Sequence, residues 1–172
     1  MSLKKIKIID VFLLLILSFI AHNIYDFFPN ILTAIFFPIS ESIFEHMKII
    51  FTTIILTGIS DYILLILNNI KYNNFRFQLF FTAFISIPIF LTIYLPIHYL
   101  LGEYLPLTII LLFITYIISQ IISYKLLNHI ELPFLNKISI ILILLVYLNF
   151  LVLTFIPNKD DFFYDTYTIK ET

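Results

Sequence analysis

The ionisable side chains that could do chemistry concentrate in residues 40–48, which read Ser-Glu-Ser-Ile-Phe-Glu-His-Met-Lys. Within this stretch, Glu45 or His46 could act as a general base, because carboxylates and imidazoles accept protons from a nearby hydroxyl or water. Ser42 could then serve as a nucleophile or a positioning hydroxyl. Since only 12% of the chain is charged and 61% is hydrophobic, so dense a polar stretch is a candidate site.

A second polar group, His22 and Asp26, has the four-residue spacing that places two side chains on one face of a helix. If this group faces Glu45 and His46, two imidazoles and two carboxylates converge. Such a donor set suits zinc or another divalent transition metal. The sequence therefore predicts either a metal site of these four residues or metal-free acid–base chemistry at the same place. Further polar residues of this region are Tyr25, Glu41 and Lys48.

An alternative interpretation of residues 40–48 is a hydrogen-bonded helix start. Ser40 or Ser42 would be the N-cap, and Ser42 followed by Glu45 fits a capping box. The acidic side chains would lie near the positive end of the helix dipole, and Lys48 would partly neutralise Glu45. The sequence alone leaves both interpretations open.

The composition indicates an integral membrane protein that crosses a cell membrane several times. The mean hydropathy is +1.04, and soluble domains carry about 25% charged residues, twice the fraction here. The absence of cysteine excludes disulfides, thiol catalysis and iron–sulfur clusters. A net charge of -1 and only two glycines give no sign of nucleic-acid binding or of a glycine-rich phosphate loop. The expected surroundings are a lipid bilayer, with no nucleic-acid partner.

Five apolar segments are long enough to be membrane-spanning helices, which need about 20 apolar residues. They lie at about 11–28, 42–67, 77–95, 105–127 and 138–156. The sequence thus predicts an all-α bundle of about five transmembrane helices in a single transmembrane domain, residues 1–172. Residues 29–41 are apolar but too short to span, and are expected to be re-entrant or interfacial. Residues 158–172 are expected to form an external polar tail.

Lysine and arginine predict the orientation of these spans, because they are enriched in cytoplasmic loops. Seven of the ten fall on one side: Lys4, Lys5, Lys7, Lys71, Arg76, Lys125 and Lys137. The opposite side has Lys48, Lys159 and Lys170. We therefore expect a cytoplasmic N-terminus and an external C-terminus, and a polar cluster in the outer leaflet.

Polar stripes on the first, second and fourth spans should face each other rather than lipid. The stripe on the second span ends at Asp61, and an acid inside the membrane is a candidate functional residue. A structural alternative pairs Asp61 with Thr57, Gln120 or Tyr124, or places it at the inner interface. Three function classes stay open: a small metal-assisted hydrolase or transferase acting on lipid or envelope substrates, a transporter or ion-conducting subunit using Asp61 and the threonine stripe, and an accessory or sensor protein that binds a partner helix. A homo-oligomer is also compatible with the sequence.

Two stretches resemble an uncharacterised bacterial membrane family, the domain of unknown function 6512 (DUF6512). They are His-Asn-Ile-Tyr-Asp at 22–26 and Phe-Pro-Ile-Ser-Glu-Ser-Ile-Phe-Glu-His-Met-Lys at 37–48. The family pattern is His-x-x-Tyr-acid, then Pro-Val-Asn-Glu-Ser-Val-Trp-Glu-His-x-Lys. Here Ser40 stands in place of Asn and Phe44 in place of Trp, while Asp61-Tyr62 is similar to a Glu-Tyr pair of the family. The resemblance implies a bacterial inner-membrane protein and brings no assigned activity.

Overall fold

The computed structural model describes residues 1–102, 104–157 and 161–163. Within these ranges the chain forms six α-helices, one 3-10 turn and no β-strand. The helices are α1 (Leu3–Phe27), α2 (Ile31–Phe36), α3 (Ile43–Leu67), α4 (Phe75–Leu101), α5 (Leu105–Leu127) and α6 (Pro133–Phe155), and the 3-10 turn is Asp161–Phe163. Apart from this turn and Pro157, the chain after Ile156 lies outside the described residues, and so does most of the expected polar tail at 158–172.

Five of these helices are long and apolar enough to cross a membrane, with mean hydropathies of 2.0 to 2.7 over their most apolar stretches. Their 23 to 27 residues correspond to about 35 to 40 Å at 1.5 Å per residue, enough for a hydrocarbon core of about 30 Å. The prediction of an all-α, multi-pass membrane protein with five long apolar helices is therefore confirmed.

The helix α3 is the centre of the bundle. In its most apolar 18 residues, 56% of the side chains are buried, against 22–28% in the other four long helices. It packs between α1 and α4, while α5 packs against α1 and α4, and α6 against α4 and α2. An aromatic core joins α3 to α6, with the ring of Phe51 5.2 Å from Tyr147 and 5.7 Å from Phe150.

The predicted polar stripes do face each other, and Tyr116 on α5 is their junction. Its fully buried hydroxyl lies 2.6 Å from Ser18 Oγ on α1 and 3.1 Å from Thr53 Oγ1 on α3. One turn further along α5, Ser119 Oγ lies 2.5 Å from Ser86 Oγ on α4. These contacts satisfy hydroxyl groups that lipid could not, since the hydrocarbon region offers no hydrogen-bonding partner.

The segment between α1 and α3 contains a short helix, α2, that the sequence did not predict. Asn30 caps it, accepting hydrogen bonds from Leu32 N at 2.9 Å and Thr33 N at 3.1 Å. Two of its carbonyls accept bonds from buried side chains of α3: Ala34 from Lys48 and Phe36 from Thr52, both at 2.8 Å. Several of its terminal backbone groups are thus satisfied by protein, as a re-entrant or interfacial position requires.

The first helix begins at Leu3, eight residues before the expected boundary, and this changes the location of two charges. Lys7 and Asp10 precede the expected span, and they lie inside α1 on its buried face. Hydropathy ends the expected apolar segment near Val11 because charged residues interrupt it, whereas the helix itself continues back to Leu3. Hydropathy does not register that Lys7 and Asp10 share the helix face of Leu14 and Ser18.

Candidate functional site

The end of α1 and the beginning of α3 meet at one end of the bundle, which we call the histidine end. His22 on α1 and His46 on α3 face each other there, with ring centroids 5.3 Å apart. The carboxylate of Glu41, in the turn before α3, lies between them. Its Oε2 is 3.4 Å from His22 Nε2 and 3.5 Å from His46 Nε2. The three donor atoms lie within 4.8 Å of one another, and we call them the histidine site.

The start of α3 fixes the orientation of His46. Ser42 caps the helix, with its Oγ accepting a hydrogen bond from Glu45 N at 3.2 Å. The carbonyl oxygen of Ser42 lies 2.9 Å from His46 Nδ1. Because a carbonyl oxygen only accepts, Nδ1 must carry the proton, and in the neutral ring Nε2 then presents a lone pair. Metal-binding histidines are commonly held by such a hydrogen bond from the other ring nitrogen.

The two distances between Glu41 and the histidines are compatible with a bound metal. In this tautomer, His46 Nε2 and the Glu41 carboxylate turn lone pairs towards each other, which is repulsive unless a cation or proton lies between them. Metal bonds of about 2.1 Å at tetrahedral angles place two donor atoms about 3.4 Å apart, close to the observed separations. Two imidazoles and one carboxylate are also the ligand set of one class of catalytic zinc site.

A cavity of about 660 Å³ opens beside the histidine site, between α1, α3, α4 and α5, and the site forms part of its wall. This volume lies in the range of small-molecule binding pockets. Apolar side chains such as Phe19, Phe90 and Leu112 line it together with the polar side chains of Tyr94, Tyr104 and Thr108. The side chains of His22, Glu41 and His46 are 36%, 50% and 27% exposed, so a ligand in the cavity can reach them.

Glu45, predicted as a metal ligand or catalytic base, does not join this group. Its Oε2 accepts hydrogen bonds from Lys48 Nζ at 2.7 Å and Ile39 N at 3.0 Å, and its Oε1 from Thr154 Oγ1 at 3.0 Å. It is 3% exposed. Consecutive residues of a helix differ by about 100° in direction, so Glu45 cannot share the direction of His46. The structure thus brings together the two predicted histidines, with Glu41 as the carboxylate.

The other predicted residues have separate positions. Asp26 lies one turn beyond His22, is exposed, and is not among the three converging donors. Tyr25 beside it is half-buried. Ser42 is 1% exposed and has the capping role that the alternative interpretation gave it. Lys48 is fully buried and binds both Glu45 and the carbonyl of Ala34, so it ties α2 to α3.

Asp61 belongs to a second group of charges, which sequence reasoning missed. Lys7 donates to Asp61 and, at 3.2 Å, to Asp10 Oδ2. The three residues are 5%, 2% and 0% exposed, and we call them the buried charge cluster. The expected partners Thr57, Gln120 and Tyr124 are not the ones that Asp61 binds. The sequence did contain a signal for this cluster. Lys7 is spaced from Val11, Leu14 and Ser18 by steps of three or four residues, which places it on the buried face of α1.

The chain was also compared with known proteins. The sequence model of DUF6512, described as a family of unknown function, matches residues 1–171. No curated protein and no solved structure matches the chain. The match includes both the histidine site and the buried charge cluster and extends over nearly the whole sequence. The chain therefore belongs to the DUF6512 family.

Proposed function

We propose that the histidine site binds one divalent transition metal ion, with zinc as the best fit, through His22, Glu41 and His46. The observation that carries this proposal is the locked orientation of His46, whose Nδ1 donates to Ser42 while its Nε2 faces Glu41 Oε2 at 3.5 Å. Within the described residues no lysine or arginine pairs with these three donors, so a metal cation would stabilise the site. Glu41 takes the ligand role first assigned to Asp26 and Glu45.

The metal would serve hydrolysis rather than structure alone. Zinc sites that only stabilise a fold have four protein ligands, whereas three leave a coordination position for water. This position would face the adjoining cavity, whose wall combines apolar side chains with tyrosine and threonine hydroxyls. Such a wall suits an amphipathic substrate, so lipids or envelope precursors are the substrate classes that we favour. Tyr94, Tyr104 and Thr108 would orient the substrate.

Metal content tests the first step. Purified protein loaded with zinc and then desalted should hold about one zinc per chain, measured by inductively coupled plasma mass spectrometry. Glu41→Gln and His46→Gln should each lose it, because each removes a ligand. Asp26→Asn is the matched control, since it removes an exposed carboxylate near the site, and should retain the metal. Equal zinc in Glu41→Gln and Asp26→Asn would refute the site.

Hydrolysis tests the second step. Fluorogenic phospholipid esters in mixed micelles should be cleaved by the zinc-loaded protein and by Asp26→Asn, but not by Glu41→Gln or after chelation. Full metal loading with no cleavage of ester or phosphodiester probes would contradict the hydrolase while leaving the metal site intact.

A transport function is the second candidate, favoured by the buried charge cluster. With all three groups ionised, two carboxylates and one ammonium would carry one net negative charge among residues that are at most 5% exposed, and both Asp10 Oδ1 and Asp61 Oδ1 lack a hydrogen-bond partner in the described chain. Such a group would favour a proton or cation. Asp61→Asn should then reduce ion flux into vesicles containing the protein, and unchanged flux would exclude this role.

The proposed setting is a bacterial inner membrane with the N-terminus in the cytoplasm. The asymmetry of lysine and arginine supports this orientation. Since the chain has no cysteine, single cysteines can report it: Ser2→Cys should resist, and Asn23→Cys should accept, a membrane-impermeant maleimide added to intact cells. The opposite pattern would reverse the orientation.

A further inference from the structure

A second cavity, of about 520 Å³, lies between α1 and α5 at the opposite end of the bundle. Most of its wall is apolar and includes Val11, Phe12, Phe113 and Ile117. The ring of Phe12 is 6.0 Å from that of Phe113, and Phe12 is 57% exposed, so the cavity is an open groove on the outer surface of the bundle. In a membrane, a groove on this surface faces lipid chains.

The end of this groove is positively charged. Lys4 on α1 and Lys125 on α5 line it and are exposed, with Tyr124 beside them. None of the described residues that line the groove is acidic. Lys7 also lines it, but its ammonium is held by Asp10 and Asp61. Lys4 and Lys125 have no ion-pair partner within the described part of the chain, so two positive charges remain for a ligand.

We propose that this groove binds an anionic phospholipid, with its phosphate between Lys4 and Lys125 and an acyl chain along α1 and α5. The apolar wall extends from Lys4 to Phe12, which is about 12 Å along a helix and matches part of an acyl chain. A soluble anion would bind the lysines but would not contact the apolar wall. A zwitterionic lipid would contact the apolar wall but would not need the lysines. Basic pockets between transmembrane helices are a common form of anionic lipid site.

Fluorescence quenching can measure this binding directly. The chain contains no tryptophan, so Phe12→Trp creates a single reporter in the groove. In vesicles, brominated phosphatidylglycerol should quench it more than brominated phosphatidylcholine at equal mole fraction. The ratio of apparent association constants should be roughly thirtyfold, because each of two lysines near an anionic headgroup contributes about 1 kcal/mol. Ile8→Trp, also in the groove, is a second reporter should Phe12→Trp fold poorly.

Charge-matched variants identify the lysines responsible. Lys4→Gln with Lys125→Gln should abolish the preference for phosphatidylglycerol. Lys5→Gln with Lys137→Gln removes two exposed lysines outside the groove, with the same change in net charge, and should retain it. A tryptophan at Ile59, which is 60% exposed on α3, should show no preference between the two lipids.

The alternative occupants give different results. Displacement of phosphatidylglycerol by inorganic phosphate would indicate a soluble-anion site and overturn the proposal. Quenching that falls as the protein density in the vesicles rises would indicate a second copy of the chain in the groove, and would also overturn it. Equal quenching by the two brominated lipids would exclude headgroup recognition.

Discussion

The histidine site and the buried charge cluster both combine carboxylates with nitrogen groups, but they differ in burial and in whether a described lysine pairs with the carboxylates. In the buried charge cluster, the ammonium of Lys7 lies between two carboxylates, and all three residues are at most 5% exposed. In the histidine site, three lone-pair donors converge, their side chains are 27–50% exposed, and a cavity adjoins them. Lys7 of α1 thus bonds to Asp61 of α3 inside the bundle, whereas the histidine site is open to a ligand in the cavity.

The pair of Glu45 and Lys48 shows that this difference depends on burial and not on which end of the bundle a group occupies. It lies at the histidine end, one residue and two residues from His46, yet its side chains are 4% and 0% exposed. Like the buried charge cluster, it carries its own cation. Its hydrogen bonds to Ile39 N and Thr154 Oγ1 fix the segment that precedes Glu41. A buried ion pair thus positions the accessible carboxylate of Glu41.

The largest effect should come from Lys7→Met, which leaves two buried carboxylates without a cation. Removing one partner of a buried ion pair costs about 3 to 5 kcal/mol of folding free energy. Unfolding in mixed micelles with increasing sodium dodecyl sulfate, followed by circular dichroism, would measure it. The folded fraction should still bind zinc, because the histidine site lies at the other end of α1.

The control for this variant is Lys5→Met, which changes an exposed lysine two residues away and should cost at most about 0.5 kcal/mol. Asp10→Asn should cost less than Lys7→Met, since it leaves one carboxylate paired with one ammonium. A stability of Lys7→Met close to that of Lys5→Met would show that the cluster does not hold α1 to α3.

The next largest effect should come from Lys48→Met, at about 3 kcal/mol. This variant leaves Glu45 buried without its cation and removes the bond to the carbonyl of Ala34. Unlike Lys7→Met, it should also weaken zinc binding, because the segment before Glu41 loses its anchor. Competition with a fluorescent zinc chelator would give both affinities. Equal zinc affinity in the two variants would contradict the positioning role of the pair.

Hydropathy and helix geometry predicted much of this arrangement from sequence. The five long helices follow from their apolar length, and the start of α3 agrees with Ser42, one of the two caps that the sequence offered. The meeting of His22 with His46 was expected because α1 ends at the membrane face where α3 begins. These features depend on local composition and on one reversal of chain direction between neighbouring helices. Both can be inferred from a single sequence.

The choice of carboxylate and the partner of Asp61 could not be predicted in the same way. Glu41 precedes α3 in a non-helical turn, and its direction depends on the tertiary contacts of Glu45 with Ile39. Lys7 lies 54 residues before Asp61, so no local pattern links them. Both outcomes depend on how helices rotate against each other, which the spacing within one helix does not determine.

Zinc binding should change the free energy of unfolding by less than Lys7→Met or Lys48→Met does. The size of the change depends on the free zinc concentration relative to the Kd. At a free zinc concentration 100 times the Kd, binding to the folded state alone adds about 2.7 kcal/mol. Glu41→Gln should gain much less at the same concentration, because it lacks a ligand. Without metal the two proteins should differ by at most about 0.5 kcal/mol, since Glu41 is half exposed. Equal stabilisation of both proteins by zinc would show that zinc binds elsewhere in the protein.

The smallest effect should be that of Ser42→Ala, which removes the cap of α3 but keeps the carbonyl that orients His46. Loss of a serine cap costs about 1 kcal/mol, and the Ser42 carbonyl still accepts from His46 Nδ1. Stability should therefore fall while zinc stoichiometry stays at one. Ser40→Ala is the matched control, because Ser40 contacts the Ser42 hydroxyl at 3.4 Å but is not the cap of α3. If Ser42→Ala instead kept its zinc but abolished hydrolysis, the hydroxyl of Ser42 would have the nucleophilic role that its sequence position suggested, and the cap would be only part of its function.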